Sequence, residues 1–203
     1  MTGRTHADES RADAGPERQL ILCMSVSLDG FVARTDGVID WLSSANAGGV
    51  DHGDRRHRAT LELLGQIGTI VIGRGAYEDM VQGWPGSDNP MAVLMNALPK
   101  VVFSQSLSEV TWSNARLSRA PLEDEVPALK REPGKDLIVF GGARIAHSLI
   151  RHRLIDEYRL TVHPVALGEG LPLMHGLPEP QRLELISSNA YADGCVTQVF
   201  RPA

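Results

Sequence analysis

The sequence is poor in cysteine, in aromatic residues, in positive charge and in long apolar runs, and each shortage removes a class of protein. Two cysteines in 203 residues, Cys23 and Cys195, are too few for a disulfide framework. Both sit among apolar, strand-like neighbours and read as small buried hydrophobes in a reducing, cytoplasmic compartment. The net charge of −5 is the wrong sign for a general nucleic-acid binder, which needs a concentrated basic face. The cluster Arg55, Arg56, His57, Arg58 is flanked by Asp51 and Asp54 and reads as a solvated helix face. No stretch approaches the roughly 20 apolar residues of a membrane span, so no membrane partner is expected. His147 and His152 have no ligand spacing to a cysteine, so no metal site is expected either.

What remains is an ordinary globular composition, 42% hydrophobic and 22% charged, at a length suited to one domain and a tail. Residues 1–18 carry charge without an apolar run and read as a disordered extension; residues 19–203 read as the domain. Leu20 to Val26 is a continuous apolar run, as in a strand buried on both faces. About twenty loop-like residues follow, with turn signals at Asp29-Gly30 and Asp36-Gly37; loops that long tend to bind or cover ligands. A helix is expected from Asp51 to Leu64, capped by Asp51. Strands then read at Thr69–Ile72, Lys100–Phe103, Ala115–Ser118, Leu137–Phe140 and Tyr158–Val162. Between them lie helices at Ala76–Val81, Met91–Leu98, Leu122–Arg131 and from Ala143 to Arg151. Arg182–Ser187 and Cys195–Phe200 read as a C-terminal antiparallel hairpin around Asn189–Gly194. The alternation predicts an α/β domain with a mixed, mostly parallel central sheet, helices on both faces and that hairpin at its end.

Four of these runs end in small or polar residues. Val26 meets Ser27, Ile72 meets Gly73-Arg74, Phe103 meets Ser104-Gln105, and Phe140 meets Gly141-Gly142. Parallel strands would bring all four ends to one sheet edge, where open α/β sheets bind ligands. Arg74 suits a phosphate, Ser104 a phosphate or ribose hydroxyl, and the glycine pair before a helix suits a pyrophosphate. Each alone is more often a plain turn; their joint placement carries the reading. The G-x-G-x-x-G fingerprint after the first strand is missing, which disfavours a standard Rossmann domain.

Seven blocks in order carry a resemblance: MSVSLDGFVA (Met24 to Ala33), IDWL (Ile39 to Leu42), TIVIGRGAYE (Thr69 to Glu78), KVVFS (Lys100 to Ser104), LIVFGGARIAHSLI (Leu137 to Ile150), LIDEYRLTVHPVALGEG (Leu154 to Gly170) and the hairpin. Across residues 20 to 201 the chain resembles the dihydrofolate reductase-like superfamily. Within it, the chain is most similar to the branch of the C-terminal reductase domain of the bifunctional riboflavin-biosynthesis enzyme. The resemblance implies an NADPH-dependent reductase of a pterin-like, aminouracil-like or carbonyl substrate, and a homodimer. It implies that Ser25, Val26 and Ser27 lie near the nicotinamide. Gly73 and Arg74 would bind phosphate, Ser104-Gln105 would lie at the adenosine end, and Gly141, Gly142, Ala143, Arg144 and Ile145 would cradle the pyrophosphate and ribose. The loop from Asp29 to Trp41 would cover the substrate.

The chain departs from that pattern at three places. Ala76 stands where the family carries a threonine hydroxyl, Gln105 where an arginine often meets a 2′-phosphate, and Phe140 where riboflavin-pathway members often carry glutamate. No acid matches the proton donor of folate reductases; Asp29 and Asp54 are the candidates, with Asp40, Asp51 and His57 nearby. Asp29 also reads as a turn residue, and Trp41 as either a stacking surface for a heterocycle or core. Three functions stay open: a reductase of another substrate, the aminouracil-phosphate reductase itself, and a nucleotide-binding protein without catalysis. The second needs a basic site for the substrate phosphate, for which Arg34, Arg144 and Arg151 are the candidates.

Overall fold

A computed structural model describes residues 17–44 and 52–203, and no side chains at 43–44 and 52–54. Most apolar runs become parallel strands because helices return the chain to the same end of the sheet, whereas the parallel strands Lys100–Phe103 and Ala115–Ser118 are joined without a helix. In chain order these are β1 (Leu20–Ser27), β2 (Phe31–Ala33), α1 (Trp41–Ser44), α2 (His52–Gly65), β3 (Ile67–Gly73), α3 (Arg74–Gly83) and α4 (Pro90–Ala97). Then come β4 (Lys100–Phe103), β5 (Ala115–Ser118), α5 (Leu122–Arg131), β6 (Asp136–Phe140), α6 (Ala143–Arg151) and β7 (Glu157–His163). The chain closes with β8 (Leu171–Pro172), β9 (Leu183–Ala190) and β10 (Val196–Pro202).

Eight strands form one sheet in the order β5-β4-β3-β6-β1-β7-β10-β9. From β5 to β7 every neighbour is parallel; β10 runs antiparallel to both β7 and β9. The expected fold class is therefore the observed one. Two apolar clusters cover the two faces. One joins β1, β6 and Tyr158 to α5 and α6; the other joins Ile70, Ile72 and Ile138 to residues of α2, α3 and α4. Helices on opposite faces follow from right-handed crossovers that step in opposite directions along the sheet.

Three sequence expectations change. Arg18, assigned to the extension, belongs to the domain. It is buried, donates to Thr69 Oγ1 at 2.7 Å and to the Lys135 and Leu129 carbonyls, and pairs with Glu132. A charged side chain is buried here because four partners replace its water. The hairpin strands are also longer than expected, since Ala190 and Asn189 pair with Val196 and Thr197 and only 191–195 remain for the turn. Finally, the long loop after β1 is partly ordered, with β2 paired to β8 and α1 at its end. That pairing is not visible in local sequence, because β2 and β8 are three and two residues long. The Asp51 cap and the extension before residue 17 lie outside the described residues.

Candidate functional site

The parallel register brings the expected strand ends to one edge. Gly73 lies beside Phe103, and Val71 beside Val139, which puts Gly141-Gly142 next to the end of β3. β1 pairs with β6 only as far as Cys23↔Phe140, but with β7 through Ser27↔His163. Its last four residues, Met24 to Ser27, therefore run past the end of β6 with a strand partner on one side. Main-chain groups on the other side face a gap where β6 turns off into the glycine pair. Such groups need a partner, and a ligand can supply it.

Two helix N-termini flank this gap. α3 starts after Gly73 and α6 after Gly142; neither has a side-chain cap or an acidic residue in its first turn. The other helices whose caps are described differ. Asn89 caps α4, and α5 carries Glu123, Asp124 and Glu125 in its first turn. Free N–H groups and an uncompensated helix dipole at two adjacent ends favour a doubly anionic group. Arg74 adds a half-exposed guanidinium, 3.9 Å from Glu78, and Arg144 is exposed in the first turn of α6.

The glycines have an internal reason as well. Gly141 and Gly142 have φ of +88° and +89°, which disfavours any other residue. A Cβ on Gly141 would lie 3.2 Å from Met80 Cε, and one on Gly142 3.3 Å from the Cβ of Ala76. The pair thus lets the β6–α6 turn pack directly on α3, and Ala76, small where the family has threonine, is part of that contact. Ile145 is buried over Gly73, where a Cβ would come within 3.1 Å. The side chains of Ile145 and Val26 belong to the core, so only their main-chain atoms are placed to meet a cofactor.

The turn after β4 is built by two residues, one of them missed in the sequence. Ser104 Oγ accepts from the N–H groups of Ser106 and Leu107, as in an ordinary serine turn. Arg119, just past β5, donates to the carbonyls of Gln105 and Leu107, and Gln105 returns a bond to the Arg119 carbonyl. The positive charge that Gln105 gives up is thus supplied next door. Parallel pairing of β4 with β5 does this, and the only local signal is a basic residue directly after a strand.

Asp29 does not have the environment of a proton donor. Its carboxylate accepts from Ser27 Oγ at 2.6 Å and from the N–H groups of Leu167 and Gly168, while Ser27 Oγ accepts from Phe31. The Ser27 bond and then the Gly168 bond hold its pKa down to about 2, so at neutral pH it is an ionised clasp between two loops. The structure corrects its reading as the acid. Trp41 is also corrected as a stacking surface: it is buried, with its ring edge-on to His163 at 5.4 Å. Arg34 is engaged by Asp40 at 2.7 Å. Asp54 lies in the first turn of α2, and its side chain is outside the described residues.

Comparison with known proteins gives the family and the fold. Residues 18–197 match the RibD C-terminal domain family. The uncharacterized protein YyaP of Bacillus subtilis is 32% identical over 91% of this chain and 95% of its own. A Shewanella sp. PV-4 structure assigned to riboflavin biosynthesis superposes with a TM-score of 0.72 at 28% identity, over 91% of this chain and 99% of that one. The dihydrofolate reductase of Enterococcus faecalis, solved with NADP(H), shares the fold at a TM-score of 0.57 and 13% identity, over 91% and 96%. The chain belongs to the RibD C-terminal domain family, whose domain and fold are associated with reductases.

Proposed function

We propose that this member of the RibD C-terminal domain family is an NADPH-dependent reductase that transfers a hydride to a small heterocyclic or carbonyl substrate, working as a homodimer. The observation that carries the reading is the pair of uncapped, acid-free helix N-termini at Gly73 and Gly142, beside the gap where β1 outruns β6. A pyrophosphate fits two adjacent anion sites, and a flat ring fits between parted strands whose main chain is open on one side. Arg119 beside Ser104-Gln105 supports NADPH over NADH, since a guanidinium brings a 2′-phosphate a full positive charge where a glutamine offers only a neutral donor. The cofactor supplies the hydride; the chain's task is to bind and orient it and to exclude water.

Titration of the purified protein with NADPH and NADH tests this, followed by NADPH oxidation with dihydrofolate and with the aminouracil phosphate. Binding of NADPH is expected, weakened on the order of tenfold or more in Arg74→Glu, which puts an acid at the start of α3. Gly141→Val is a poor test, because its positive φ and its contact with Met80 would disturb the fold itself. Failure of the wild type to bind either nucleotide would overturn the reading. Tight binding with no turnover of any substrate would favour a nucleotide-binding protein without catalysis.

A further inference from the structure

Behind the open edge of β1 lies a buried polar chain that the reading above leaves unused. His163, at the end of β7, is 1% exposed and touches polar groups on both ring nitrogens. Its Nε2 is 3.1 Å from Ser25 Oγ, and its Nδ1 is 3.4 Å from Cys195 Sγ. The N–H of Cys195 donates to Asp193 Oδ1 at 3.0 Å, and Asp193 Oδ2 meets Arg56 Nη2 of α2 at 3.0 Å. Trp41 of α1 closes the chain from the side, edge-on to the imidazole. Ser25 lies two residues past Cys23, where the pairing of β1 with β6 ends, and it is half-buried.

We propose that His163 is a positioning residue that fixes the Ser25 hydroxyl as a hydrogen-bond acceptor at the gap between β1 and β6, for the primary carboxamide N–H of a bound nicotinamide. The direction of the hydrogens follows from the far end of the chain. Burial opposes the charge of Asp193, but the Cys195 N–H and the Arg56 guanidinium hold its pKa below the usual carboxylate range, so it only accepts. Burial, with Asp193 beside it, pushes the Cys195 thiol up to about 11; the thiol keeps its hydrogen and gives it to Asp193. The sulfur lone pairs then face His163. Burial, followed by the charge of Arg56, takes His163 down to about 4 against the opposing pull of Asp193, so the ring is neutral with one hydrogen. That hydrogen sits on Nδ1, toward the sulfur, which leaves Nε2 to accept the Ser25 hydroxyl hydrogen. Ser25 Oγ consequently has only lone pairs left to offer, and a ligand must bring an N–H to it.

The ligand assignment rests on the cofactor reading above, and two measurements separate them. Ring ¹⁵N NMR of histidine-labelled protein between pH 5 and 8 is expected to show His163 neutral with its hydrogen on Nδ1. A charged ring at pH 7, or a hydrogen on Nε2, overturns the proposal whether or not any nucleotide binds. The second measurement compares NADPH with its 3-acetylpyridine analogue, in which a methyl ketone replaces the carboxamide and its N–H. Wild type should prefer NADPH by about tenfold, the worth of one good hydrogen bond. That preference should vanish in Ser25→Ala and His163→Phe and return in Ser25→Thr. If His163→Phe does not fold, the two Ser25 variants carry the comparison. Equal affinities in wild type, or an undiminished preference in folded Ser25→Ala, overturn the assignment while leaving the cofactor reading intact. A wild type that binds neither dinucleotide overturns both.

Discussion

The carboxylate of Asp29 shows how one residue type can hold either a proton or a loop. A donor near neutral pH needs a raised pKa, whereas three donors converging on Asp29 stabilise its charge. Asp29→Asn is therefore expected to keep turnover of any substrate found within a few-fold, measured as NADPH oxidation, and loss of all activity in a folded variant would restore Asp29 as the acid. The pH sign is set by the same bonds. Its folded pKa of about 2 lies below the ordinary 3.8, so its stabilisation is complete above about pH 4 and is lost as pH falls towards 2. Acid unfolding of Asp29→Asn should lack that component. Arg119 makes a second residue-scale prediction. Arg119→Gln should lower the ratio of NADPH to NADH affinity on the order of tenfold, as expected for a lost charged hydrogen bond. An unchanged ratio would remove Arg119 from the cofactor site.

At the scale of elements, the site depends on helices brought tightly against strand ends. The β6–α6 turn reaches α3 through Gly142, with φ of +89° and Ala76 where a Cβ would go. Gly142→Ala should cost about 1–3 kcal/mol in denaturant unfolding, the range for a non-glycine residue held in a sparsely populated backbone region. A loss below a few tenths would show that the turn relaxes freely. Lys100 fastens the opposite end of the sheet. Fully buried, it donates to the carbonyls of Asn96, Leu98 and Ser113 and lies 4.7 Å over the Trp112 ring. It thereby closes the C-terminal end of α4 against β4. Lys100→Met removes the donor from the Leu98 and Ser113 carbonyls, while Asn96 keeps its bond from Asn114 Nδ2, and should destabilise by about 1–3 kcal/mol.

On the scale of the whole molecule, the two ends of the sheet are finished differently. β5, at one edge, is partly buried, whereas β9, at the other, is exposed along nearly its whole length, with Leu185 and Ile186 about half exposed. A long edge strand with exposed apolar residues is a template for pairing. The proposed homodimer is expected to use it. Sedimentation should give twice the chain mass of 22.0 kDa, and Leu185→Lys with Ile186→Lys should return the monomer. A monomeric wild type at micromolar concentration would refute the dimer.

Period and punctuation in the sequence determined most of the fold. Continuous apolar runs such as Leu137–Phe140, the amphipathic pattern of α6 and the glycine stops between them are local signals, and each became the element expected. Their order also determined the parallel sheet and the common edge of the strand ends. Tertiary structure decided the contacts of individual polar residues, because those contacts join partners far apart in the chain. Asp29 became a clasp through Leu167 and Gly168, and Arg18 joined the core through Thr69 and Lys135. Arg119 reached the β4 turn through strand pairing, and His163 met Ser25 and Cys195 across β1, β7 and β10. A hydrogen bond acts over about 3 Å whatever the separation in sequence, so no local pattern announces it.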